Sequence, residues 1–153
     1  MHTLQKKIIL AVMVCAVIAG GITHRYVGFE SGHLVYPKPS RQVVRLQKTA
    51  AEMNMTLPKM VDVGTRLDNT FVLGQTFVYN YTLIHYNSDE LSANDISIFL
   101  ATAMLNKYCT TDVSFVKQGV SVDYDYYGND AKLIGKISVV PSQCLHHDPV
   151  AEY

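Results

Sequence analysis

The sequence has no tryptophan, few cysteines and no excess of either charge: 13 lysines and arginines balance 13 aspartates and glutamates. That balance removes the net field that steers a protein onto DNA, RNA or an acidic substrate. Charged residues make up only 17% of the chain. A glycine-rich phosphate loop is missing, which removes the usual nucleotide cradle. No C-x-x-C or Cys-His pair prepares a thiol nucleophile, and no G-x-S-x-G elbow prepares a serine.

What is present begins with a leader. Lys6 and Lys7 precede an uncharged run from Ile8 to Thr23, closed by His24 and Arg25. A positive start followed by such a run directs a chain through a membrane, with the lysines kept inside. Ala19-Gly20-Gly21 offers small residues for cleavage, yet a run of about 17 residues is also long enough to stay in the bilayer. Residues 1–25 are therefore a signal-anchor or a signal peptide. Cys15 invites a lipid-attachment reading, but Val14 before it is bulkier than such signals want. Each fate puts the remainder outside the cytoplasm. It is either single-pass in the inner membrane with its domain in the periplasm, or free in the periplasm after cleavage. Residues 26–39, with Gly28, Gly32, Pro37 and Pro39, read as a linker.

Residues 40–145 carry the domain, organised around Thr76 to Tyr86, whose β-branched and aromatic residues predict a central strand. Ser40 opens a first helix whose apolar face is Val43, Leu46, Ala50 and Met53. A strand within Val61 to Leu73 turns at Gly74-Gln75 into the central strand. Ser92 and Asp95 start a second helix with a capping box. This helix is apolar nearly all round: Ile96, Phe99, Leu100 and Ala103 on one side, Ile98, Ala101, Leu105 and Tyr108 on the other. A short strand is expected at Val113 to Val116, with longer ones at Val120 to Tyr126 and Lys132 to Val140, and residues 146–153 are expected to form a flexible tail. The order α-β-β-α-β-β-β predicts an α+β fold. Its sheet would be mainly antiparallel, of about five strands, with two helices on one face.

Cys109 closes the second helix and Cys144 follows the last strand, so in an oxidising compartment the two are expected to pair. His146-His147-Asp148 has metal-ligand residue types, but adjacent histidines do not chelate one ion well and no third ligand is in register. Asp123, Asp125, Asn129 and Asp130 resemble a calcium loop with Gly128 at its sixth position, yet no glutamate stands at the twelfth. Arg66 and Asp68 read as a charge pair. His85 could act as a general base in a small hydrolase, although neither a serine elbow nor an acid pair accompanies it.

No metal or cofactor is expected, and the layout resembles bacterial envelope accessory proteins. The leading expectation is a non-enzymatic envelope protein that binds a protein partner, in a secretion, conjugation or immunity role. That partner would be another envelope protein or a second copy, met through Ile98, Leu105, Tyr124 and Tyr126. The alternative is a periplasmic small-ligand binder that uses the groove between helices and sheet.

Overall fold

A computed structural model of the chain describes residues 28–30, 33–35 and 38–146. The expected membrane segment, residues 8–23, lies outside the described residues. Among the described residues no helix is long and apolar enough to cross a membrane. The chain divides into two compact units, Met1–Lys38 and Pro39–Tyr153. In the first, β1 (Gly28–Glu30) pairs antiparallel with β2 (His33–Val35). Part of the stretch read as an irregular linker is thus a short hairpin.

The second unit opens as its sequence dictates. Ser40 Oγ accepts from Val43 N at 3.2 Å and caps α1 (Arg41–Asn54). Val43, Leu46 and Ala50 recur at helical spacing and are the buried residues of α1. Five strands follow, side by side in chain order: β3 (Lys59–Met60), β4 (Thr65–Leu73), β5 (Thr76–Leu83), β6 (Ser121–Gly128) and β7 (Leu133–Val139). Neighbours are antiparallel except β5 and β6, which run parallel. A parallel pair needs a long crossover, and α2 (Ala93–Thr110) with α3 (Val113–Lys117) supplies it.

Helix α3 corrects one expectation, because Val113 to Val116 is helical. Val-Ser-Phe-Val alternates like a strand, but so short a run cannot distinguish the two periods. Contacts distant in sequence decide it: Phe115 is buried with its ring 5.0 Å from that of Phe77. The strand count still reaches five because Lys59–Met60 forms a short edge strand.

Helix α1 packs on β4 and α2 on β7. Three strand spacings separate β4 from β7, roughly 14 Å, while a helix with its side chains is about 10 Å across. The wedge left between them lies over β5 and β6. Long flat side chains fill it: Phe77, Tyr79 and Tyr81 from β5, Tyr124 and Tyr126 from β6, all buried. Parallel register sets Tyr79 beside Tyr124 and Tyr81 beside Tyr126, with ring centroids 5.5 Å and 5.4 Å apart. These rings form the centre of the core. Glycine fixes two details. Gly74, at φ +64°, turns β4 into β5, and a Cβ on Gly135 would stand 3.0 Å from Ala93 Cα, where α2 meets β7.

After β7 a 3-10 turn (Pro141–His146) brings Cys144 to Cys109 at the end of α2. The two are disulfide-bonded with Cα atoms 5.5 Å apart.

Candidate functional site

Helix α2 begins in a complete capping box: Ser92 N donates to Asp95 Oδ2 at 2.8 Å and Asp95 N donates back to Ser92 Oγ at 3.3 Å. Hydrogen bonds from Ser92 hold the Asp95 carboxyl below its ordinary range. From this start Ile96 and Tyr108 are buried, with Leu100, Met104 and Leu105 partly buried against the core. The periodicity alone could not choose a side for a helix apolar all round. Phe99, expected to lie on the same side as Ile96 and Leu100, is 73% exposed, and Ile98 beside it is 66% exposed. Tyr108, expected on the opposite side, is buried and its hydroxyl donates to Val120 O at 2.6 Å.

Ile98 and Phe99 therefore stand out from the fold. With Thr102 and Ala103, also exposed, they make an uncharged stretch of surface bordered by half-buried Asp95. Behind Phe99 a groove of about 210 Å³ is lined by Leu83, Tyr86, Leu91, Ile96 and Leu100, with Asp95 among its walls. Apolar side chains around a concave surface form a shape that takes an apolar anchor from a partner.

The four residues expected to meet a partner are not brought together. Ile98 is exposed and Leu105 partly buried, but Tyr124 and Tyr126 are core residues with 0% and 3% exposure. They have no free ring to offer, because the wedge between the helices needs them. The same rings occupy the space expected as a ligand groove between helices and sheet. Burial raises the hydroxyl pKa of Tyr79, Tyr81, Tyr124 and Tyr126, with the Asp112 charge adding to it for the first three. For Tyr81 the value reaches about 12. Asp112 is itself paired with Lys107 Nζ at 2.6 Å, and that ammonium lies 5.1 Å from the centre of the Tyr79 ring. This lid on the aromatic stack is a cation–π and ion-pair feature that periodicity does not reveal.

His85, Arg66, Asp68, Asp123, Asp125 and Asp130 each have a local partner. His85 Nε2 lies 3.2 Å from Val63 O and braces the turn between β3 and β4. Arg66 Nε donates to Asp68 Oδ1 as expected, and Asp68 Oδ2 also accepts from Thr82 Oγ1 at 2.5 Å. Asp123 and Asp125 face Lys136 at 3.0 Å and 3.4 Å. Burial pushes the Asp125 carboxyl up. Asp130 accepts from Ser88 N and Oγ at 3.1 Å and 2.7 Å. The acids of the calcium-like stretch are thus engaged elsewhere, Asp123 and Asp125 with Lys136 and Asp130 with Ser88. Among the described residues no group of three histidine, cysteine or acidic side chains is placed to hold a metal ion. His147 and Asp148 lie outside the described residues.

No protein-family model and no curated protein matches the chain. Among solved structures, the fold is similar to a Pseudomonas aeruginosa protein described as secreted, with a TM-score of 0.56 and 13% identity. That match covers 70% of this chain and 99% of the other. It is also similar to EpsS, the pilotin of the Vibrio vulnificus type 2 secretion system, with a TM-score of 0.54 and 16% identity over 68% of this chain and 92% of EpsS. AspS, a type II secretion pilotin of Vibrio cholerae, gives 0.51 and 17% over 67% of this chain and 92% of AspS. At such identities the likeness is one of fold.

Proposed function

We propose that this chain is a non-enzymatic accessory protein of the bacterial envelope, acting outside the cytoplasm by binding a protein partner. Residues 8–23 would deliver it there, as an anchor or a cleaved signal. The observation that carries the reading is the exposed apolar pair Ile98 and Phe99 on α2, set over a groove that is apolar except for Asp95. Exposed apolar side chains beside a concave, mostly apolar surface form the kind of patch that marks a protein interaction site. Support also comes from the fold shared with two secretion pilotins and from a disulfide suited to an oxidising compartment. The partner is another envelope protein of a secretion-type assembly, or a second copy of the chain.

A photoactivatable cross-linker placed at Ile98 in living cells tests this, with one at exposed Gln47 of α1 as control. The expected result is a discrete adduct from position 98 alone, lost when Phe99→Asp is added and the circular dichroism is unchanged. No adduct at position 98, or the same adduct from both positions, overturns the reading.

A further inference from the structure

A second groove, of about 420 Å³, opens at the outer edge of the sheet between the end of α1 and strand β3. We propose that it binds a single-chain fatty acid, with the carboxylate on Lys59. The proposal does not rest on the partner-binding reading above, which concerns α2.

The lining decides the chemistry. Met53, Leu57, Met60, Val61 and Leu67 form the apolar walls, and the polar residues among them are Thr56 and Lys59. The Thr56 hydroxyl already donates to Met53 O at 3.1 Å. Lys59 makes no ion pair among the described residues. Nearby acids are turned elsewhere: Glu52 to Lys48 at 3.6 Å, and Asp62 to the amides of Gly64 and Thr65 at 2.7 Å each. A lysine without an ion pair in the lining of an otherwise apolar groove is complementary to an apolar body carrying one negative charge. The volume lies within the range of about 300–1,000 Å³ usual for small-molecule sites. Two methionines in the wall suit a flexible alkyl chain, because unbranched thioether side chains re-pack around irregular shapes. Leu67, 7% exposed, gives the groove a floor on the core itself.

The test uses the full chain, held in an amphipathic polymer and carrying isotope-labelled methionine methyls, titrated with laurate below its micellar concentration. The expected result is a saturable shift of the Met53 and Met60 methyls while Met104, packed against the core, stays still. Dodecanol, which lacks the charge, should bind about tenfold more weakly. Lys59 is exposed, so Lys59→Glu leaves the fold intact. That variant should lose laurate by at least about tenfold and favour dodecylammonium instead. Equal affinity for laurate and dodecanol, unchanged laurate affinity in Lys59→Glu, shifts that reach Met104, or no saturable shift at all would each overturn the assignment.

Discussion

The side chain of Asn54 acts as a strand partner for Thr70: its Nδ2 donates to Thr70 O at 2.8 Å and its Oδ1 accepts from Thr70 N at 2.8 Å. Beyond the two residues of β3, the outer edge of β4 would otherwise present unpaired backbone groups, which invite pairing with another chain. One carboxamide at the end of α1 closes that edge, and the Thr70 hydroxyl adds a bond to Ala50 O at 3.3 Å.

Asn54→Ala should therefore destabilise the domain by about 1–3 kcal/mol, the cost of leaving a buried donor and acceptor unmet. Thr70 is only 2% exposed, so water cannot easily replace the lost partner. Asn54→Asp keeps the acceptor and loses the donor, and it should fall between the two. Urea unfolding followed by circular dichroism measures all three. An Asn54→Ala midpoint equal to that of the parent would mean that the edge closes by other means.

This device also marks where the sequence stops being legible. The cap at Ser40, the box at Ser92 and Asp95, and the β-branched and aromatic run from Thr76 all lie within a few residues of what they determine. The two caps appear as expected, whereas the strand expected over Thr76 to Tyr86 ends at Leu83 and is buried on both faces, with Val78 and Thr82 covered as well as Phe77, Tyr79 and Tyr81. The bond from Asn54 to Thr70 spans 16 residues, and no local pattern encodes it. The tyrosines were ambiguous for a related reason. Alternation shows that Tyr124 and Tyr126 share a face with each other, but not that two helices straddle that face and require rings to fill the gap. For α2, uniform apolarity hid which side turns inward, so Phe99 was misplaced while Ile98 was not. The pairing of Cys109 with Cys144 was legible because both stand at element ends, and the structure joins them.

The aromatic core predicts a specific alkaline limit. Burial raises the hydroxyl pKa of Tyr79, Tyr81, Tyr108, Tyr124 and Tyr126 above the ordinary 10.0, to about 12 for Tyr81 and Tyr108. Above the ordinary value the unfolded chain has released these protons while the folded chain keeps them. Stability must then fall as pH rises. The contribution is complete below pH 10 and declines steeply between 10 and about 12. The part of the tyrosinate absorbance that comes from these five residues should rise together with the loss of tertiary circular dichroism in one cooperative step. Gradual ionisation of all ten tyrosines near the ordinary value, with the fold retained, would contradict the stacked core.

Reduction should weaken the domain without abolishing its sheet. The disulfide closes a segment of 35 residues, worth roughly 3–4 kcal/mol in the chain-entropy model. Cys109→Ser with Cys144→Ser should give the same loss as reductant, and reductant should then have no further effect. Alkylation with and without reductant, read by mass, establishes the oxidised form in cells. Equal urea midpoints for parent and double variant would show that the cross-link adds nothing to the packing of the 3-10 turn on α2.

Finally, the turn between β3 and β4 has an acid-sensitive clasp. Asp62 Oδ1 accepts from Gly64 N and Thr65 N, and these bonds lower its carboxyl pKa below the ordinary 3.8. A depressed folded value means the clasp contributes fully above that ordinary pH and is lost as pH falls through the lower, folded value. The Gly64 and Thr65 amide resonances should titrate together below pH 3.8, along with the Asp62 carboxyl. His85 holds the same turn through Val63 O. His85→Ala should therefore speed hydrogen exchange in the turn while leaving the global unfolding free energy within about 0.5 kcal/mol of the parent. A histidine kept for catalysis would instead leave turn exchange untouched and remove a turnover, so measuring exchange in His85→Ala separates the two roles.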